Sequence, residues 1–179
     1  MEKLYRFKVA LKYRKGLWRV IEVKGSQTLA DLDYAIREAF NHDTWDHLSE
    51  FFPGRAWRTR GFGPIQPDRG GSGAKKKINS LRLSDGARME YVYDFGDDIQ
   101  HVLTLEKITE PKEGVEYPQI VAKSRTRRRY CVECKKKNKK TVATWVCIEC
   151  TEDSGKQVLL CDDCVDKGHE DHYSEEILY

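Results

Sequence analysis

Six cysteines and two histidines in the carboxyl-terminal third carry the plainest chemistry in this sequence. They run Cys131-Val-Glu-Cys134, Cys147-Ile-Glu-Cys150, Cys161-Asp-Asp-Cys164 and His169-Glu-Asp-His172, and every cysteine of the chain lies in one of these pairs. Two residues between cysteines let a tight turn aim both sulfurs at one tetrahedral ion. Eight ligands close two four-coordinate zinc sites with no position left open, the arrangement of structural rather than catalytic metal. Redox or disulfide cysteines share the Cys-x-x-Cys spacing, but three such pairs finished by a His pair favour zinc.

Only Val165 to Gly168 separate the third cysteine pair from the histidine pair. Folding both onto one ion would need a very short loop, and an interleaved arrangement avoids it. Cys131, Cys134, Cys161 and Cys164 would hold one zinc, and Cys147, Cys150, His169 and His172 the other. This ligand order, with the ending from Leu160 to Tyr173, resembles the cross-brace zinc modules of the B-box and ZZ type across residues 129–179. Ten residues stand between Cys150 and Cys161, several more than in those families. The resemblance implies a small protein-interaction platform, in which ZZ members capture peptide N-termini on acidic residues. Asp162, Asp163, Glu170 and Asp171 would take that part here, unless they only solvate a metal module.

Two other sets of residues invite a chemical reading. The stretch Tyr93-Asp-Phe-Gly-Asp-Asp-Ile-Gln-His101 offers Asp94, Asp97, Asp98 and His101 as a catalytic or metal cluster, as in a metal-dependent hydrolase or nuclease. The same residues suit a tight turn whose Asp side chains bond backbone N–H groups, with His101 a core residue. No nucleophile with a companion base accompanies them, and the turn is preferred. The second set is basic: Arg125, Arg127, Arg128 and Arg129 before the first cysteine, then Lys135, Lys136, Lys137, Lys139 and Lys140 after it. Such residues neutralise phosphate, and nucleic-acid binding is the alternative to a protein or peptide partner.

The elements that hold these residues can be read from periodicity. Tyr5, Phe7, Val9, Leu11 and Tyr13 alternate with Arg6, Lys8 and Lys12, a half-buried strand that turns at Arg14-Lys15-Gly16 and returns over Leu17 to Val23. Thr28 and Asp31 form a capping box ahead of a helix whose buried stripe is Leu29, Leu32, Ile36, Ala39 and Phe40. A short strand follows at Leu48 to Phe52. Residues 54–77 hold six of the 13 glycines among Arg55, Arg58, Arg60, Arg69 and Lys75 to Lys77, with Trp57 and Phe62 between them. Single-stranded nucleic acid could use that mixture, but a flexible basic surface loop is the preferred reading. Ile99, His101, Leu103 and Leu105 then share one face of a strand that returns from the Asp-rich tip.

At these residues the first part of the chain becomes recognisable. Trp18-Arg-Val-Ile-Glu-Val23, Thr28-Leu-Ala-Asp-Leu32, His47-Leu-Ser-Glu-Phe51 and the Tyr93-Asp-Phe-Gly-Asp motif resemble the plasmid pRiA4b open-reading-frame-three-like family over residues 3 to about 120. Ile99 stands where that family usually has Trp, and the zinc module replaces its later Pro-Pro-Glu-Asp segment. The resemblance implies a compact α+β domain found in microbial and mobile-element settings, without an established activity.

The sequence therefore predicts an α+β protein: a mixed or antiparallel sheet with one main helix over 1–120, a basic linker over 121–130, and a two-zinc cross-brace module over 129–179. Net charge is +3 overall, with 8 Lys/Arg against 11 Asp/Glu from Arg129 onward and 24 against 18 before it. No apolar run could cross a membrane and no secretory segment opens the chain, so free thiols point to the reducing cytosol.

Overall fold

Alternating apolar residues become the centre of a sheet. In the computed structural model, which describes residues 1–179, β1 (Leu4–Leu11) pairs antiparallel with β2 (Arg14–Lys24) on one side and β6 (Ile99–Thr109) on the other. The register sets Phe7 between Ile21 and Leu105, and Val9 opposite Leu103, all buried. β5 (Arg88–Tyr93) continues the same face with Met89 opposite Leu103 and Tyr91 opposite His101. β3 (Ser49–Phe52) and the two-residue β4 (Pro64–Ile65) extend that edge, and β7 (Gln119–Lys123) pairs with β2 at the other. The full order is β4-β3-β5-β6-β1-β2-β7, and each pairing is antiparallel.

Helix α1 (Leu29–Ala39) covers the apolar face of this sheet. Its capping box is complete: the Thr28 hydroxyl accepts from Asp31 N–H, and the Asp31 carboxylate accepts from Thr28 N–H. The inward face is not wholly apolar. Arg37, 1% exposed, donates to Asp33 at 3.0 Å, to Ser49 Oγ and to the carbonyls of Asp43, Asp46 and His47. Asp33 also accepts from the hydroxyls of Ser49 and Tyr91. Burial alone would lower the Arg37 pKa, but the adjacent Asp33 outweighs it and keeps the guanidinium charged. One satisfied charge network thus ties α1 to β3 and β5.

Two boundaries differ from the sequence reading. Residues 54–77, expected to be a flexible basic loop, are hydrogen-bonded turns built onto the sheet edge. Phe62 N–H donates to Phe51 O, Gly73 N–H to Pro64 O and Ala30 N–H to Ala74 O, and Ile65 and Ala74 are buried. Glycine is required where those turns close on themselves: a Cβ on Gly73 would meet Gly63 O at 2.1 Å. The sheet also runs past residue 120, because Ala122 and Lys123 pair with Val20 and Arg19.

The chain divides into two compact units, Met1–Ser124 and Arg125–Tyr179. The second has a three-stranded antiparallel sheet, β10-β8-β9, from β8 (Trp145–Cys147), β9 (Val158–Leu160) and β10 (Ser174–Glu176). Three short helices, α2 (Val132–Lys136), α3 (Ile148–Ser154) and α4 (Asp162–Asp166), each begin directly after the first cysteine of a pair. No helix is long and apolar enough to cross a membrane.

Candidate metal centre

Each Cys-x-x-Cys pair sits on a strand or loop that turns into one helical turn. Cys131, Cys147 and Cys161 occupy the N-cap positions of α2, α3 and α4, so the second cysteine of each pair falls one turn further on, beside the first. Cys134 N–H points at Cys131 Sγ at 3.4 Å, which fixes the turn and stabilises a thiolate.

The pairs meet as two groups of four. The Sγ atoms of Cys131, Cys134, Cys161 and Cys164 lie within 4.8 Å of one another, as do the ligand atoms of Cys147, Cys150, His169 and His172. Cys134 Sγ is 3.7 Å from Cys161 Sγ and 3.8 Å from Cys164 Sγ. In the other group, His172 Nδ1 is 3.4 Å from Cys147 Sγ and 3.3 Å from Cys150 Sγ. His169 Nδ1 stands 3.4 Å from Cys150 Sγ and 3.3 Å from His172 Nδ1. All six cysteines are free thiols. These two clusters could hold metal ions.

Charge explains why they suit a cation. Burial raises the Cys131 thiol, but backbone N–H groups of Cys134 and Cys161 outweigh it and bring it to about 7. Burial and the facing thiols of Cys131, Cys161 and Cys134 push Cys164 up to about 12. Four sulfurs at this spacing cannot all ionise unless a positive ion sits among them.

The remaining residues singled out in the sequence are placed as follows. Asp162 Oδ1 accepts from Trp145 Nε1 at 2.7 Å and Thr144 Oγ1 at 2.9 Å, so it braces β8 against α4. Asp163 is exposed and lines a shallow depression with Glu133, Lys137, Lys139 and Lys167. Lys136 pairs with Glu133 at 2.7 Å, with Lys135 before it and Lys137 after it at the end of α2. Arg125, Arg127, Arg128 and Arg129 lie on the extended segment before Cys131.

The Asp-rich hairpin does not gather its four candidates. Asp94 Oδ1 accepts from Gly96 N–H at 2.9 Å, and its other oxygen meets His47 Nδ1 at 3.1 Å. Asp98 accepts from Trp57 Nε1 and Gln100 Nε2, both at 2.7 Å. Asp97 is exposed at the tip. His101 faces the opposite way, fully buried, its Nε2 3.0 Å from His42 Nε2. Burial holds His42 down to about 4, with Arg37 adding to the effect; burial and then His42 hold His101 down to about 3. Both rings are therefore neutral at pH 7, His101 inside the core and His42 half-buried at its edge.

Periodicity gave no warning of a groove on the sheet face opposite α1. It encloses about 700 Å³, with Gln100, Val102 and Glu90 as its floor. The β1–β2 turn supplies Lys12, Tyr13 and Lys15 along one wall, and the turn after β3 supplies Arg55, Trp57 and Arg58 along the other. Two local signals bear on it: the cation-rich turn Lys12-Tyr13-Arg14-Lys15, which reads as an ordinary solvated hairpin, and the stretch holding Arg55, Trp57 and Arg58, which reads as a flexible basic loop.

Comparison with known proteins supports the first unit. Residues 3–130 match the family described as plasmid pRiA4b ORF-3-like protein. Among solved structures, a protein of unknown function from Methanosarcina mazei Go1, MM3350, is similar with 33% identity and a TM-score of 0.54. That match covers 69% of this chain and 70% of the other. No curated protein matches. The family match takes in the whole seven-stranded sheet and stops at Tyr130, just before the first cysteine pair, so the chain belongs to the plasmid pRiA4b ORF-3-like family and carries its Cys/His clusters beyond the matched region.

Proposed function

We propose that the second unit is a two-zinc module and that the protein is a non-enzymatic interaction protein. One observation carries this reading: every cysteine, with His169 and His172, is consumed in two groups of four, leaving no ligand position for water or substrate. The spacings favour zinc. Tetrahedral ligands at about 2.3 Å for sulfur and about 2.0 Å for nitrogen stand about 3.8 Å apart between sulfurs, about 3.6 Å between sulfur and nitrogen and about 3.3 Å between nitrogens. The close approaches within the two clusters are 3.7–3.8, 3.3–3.4 and 3.3 Å, and every other pair lies within 4.8 Å. Ions at these points would fix α2, α3 and α4 and so present a rigid surface to a protein or peptide.

Elemental analysis of freshly purified protein tests the metal: two zinc ions per chain are expected, and metal-free folded material refutes the reading. Partner capture from native lysate after nuclease digestion tests the platform. A defined protein must be retained by the intact chain and lost in Cys147→Ser with Cys150→Ser. Retention by that variant refutes the platform while leaving the zinc measurement standing.

A further inference from the structure

The groove on the open face of the first unit has the chemistry of a site for nucleotide bases and phosphates. Five cations line it, Lys12, Lys15, Arg55, Arg58 and Arg88, against the single carboxylate Glu90. That carboxylate is already committed: Glu90 Oε2 accepts from Lys12 Nζ and from Ala56 N–H, each at 2.8 Å. The other four cations have no ion pair within the chain, and they come from three separate elements. Like charges gathered without counter-charge repel one another, so the arrangement costs stability unless an anion relieves it.

Two aromatic rings stand among these cations. Trp57 is 50% exposed, yet it is held firmly. Its indole N–H donates to Asp98 Oδ1, and its ring meets Phe52 and Phe95 edge-on at 5.2 and 5.1 Å. Its backbone is in the left-handed region, φ 62°, which a bulky residue adopts only where surrounding structure imposes it. Tyr13, on the facing wall, is 82% exposed. A braced, half-open indole beside unpaired guanidinium groups is a stacking platform beside phosphate contacts.

We propose that this groove binds single-stranded nucleic acid, with a base stacked on Trp57 and the backbone phosphates on Lys15, Arg55, Arg58 and Arg88. A strand fits better than one nucleotide, because the cations spread over both walls and the end of the floor. A duplex hides the base faces that Trp57 would meet. The proposal is independent of metal in the second unit.

Fluorescence anisotropy on the full-length protein tests it, with a ten-nucleotide oligo(dT) and oligo(U) as probes at two salt concentrations. Binding is expected at low salt, weakening with a log–log slope of about −3 for four phosphate contacts. Arg55→Glu with Arg58→Glu removes two exposed cations that make no ion pair within the chain, and is expected to lower affinity more than tenfold and flatten the slope. Trp57→Ala is expected to weaken binding about tenfold and Trp57→Phe less, since phenylalanine keeps a stacking face. A control variant with Arg125, Arg127 and Arg128 changed to Ser should retain the Trp57 dependence. Absent binding at low salt, or affinity unchanged in the Arg55/Arg58 variant, overturns the proposal. So does a polyglutamate peptide or a mononucleotide that binds as tightly as the oligomer.

Discussion

The two units of this chain are held together by different physics. In the first, apolar side chains from six strands and one helix bury against each other, and even the charged pair Arg37–Asp33 is enclosed and fully bonded. In the second, the buried cluster consists of Cys131, Cys147, Cys161 and Leu160, so three of its four members are candidate ligands. A unit of this size with so small an apolar cluster is marginal on burial alone, and metal at the two clusters would add folding energy to it. The lesson is that one region is specified by shape and periodicity, and the other by the coordination its side chains can offer.

Chelation breaks the comparison most sharply. Structural zinc supplies on the order of 10 kcal/mol in small modules at neutral pH, so a strong chelator is expected to unfold residues 125–179 and leave the first unit intact. Hydrogen exchange followed by mass spectrometry reads this directly. Full exchange over 125–179 with retained protection in β1, β5 and β6 is expected; protection unchanged throughout would show that metal is not what holds the second unit.

The converse perturbation is Arg37→Ala. It strands the Asp33 carboxylate in the core and should cost about 3–5 kcal/mol in urea unfolding of the first unit, with zinc content unchanged. Replacing both partners, Arg37→Met with Asp33→Leu, removes the stranded charge but leaves Tyr91, Ser49 and the carbonyls of Asp43, Asp46 and His47 without these partners, so only part of that loss should be recovered.

Acid weakens both units, for separate reasons. The folded-state pKa values of His42 and His101 are about 4 and about 3, below the ordinary 6.5, so the unfolded chain takes up protons first as pH falls. The first unit is therefore most stable above about pH 6.5. It should lose about 2 kcal/mol per histidine between pH 7 and pH 5, and continue to weaken toward pH 3. Urea titrations at the two pH values check this, and His42→Gln should remove about half the difference. If the second unit holds metal as proposed, acid is expected to weaken it by a different route, because cysteine and histidine ligands must be deprotonated to bind the ion. At the small end, Thr28→Ala breaks the capping box of α1 and should cost about 1 kcal/mol, again without loss of metal.

What could be read in advance follows the same division. Cysteine and histidine spacing is local, and a ligand pair announces itself within four residues. The β1–β2 hairpin, the α1 cap and the return strand after the Asp-rich tip are likewise written in short-range alternation. Residues 54–77 read only as a loop because glycine and proline mark turns without saying whether those turns pack; burial of Ile65 and Ala74 depends on partners elsewhere in the chain. Arg37 and Asp33 look like an ordinary i,i+4 surface pair until β3 and β5 close over them. His42 and His101 are 59 residues apart, and the groove gathers cations from separate elements of the sheet and its turns, distances that no local pattern spans.

Interleaving has a further consequence for how the second unit comes into being and is lost. Its first two cysteine pairs belong to different clusters, so a nascent chain that has reached only Cys150 owns half of each and all of neither. Both close only after Cys161 to His172 have been made. By the same logic one cut after Gly155, where an exposed left-handed turn joins α3 to β9, parts both quartets at once. The four-cysteine group can close first, at Cys164, but the unit is finished only with His172, and one break between α3 and β9 undoes both.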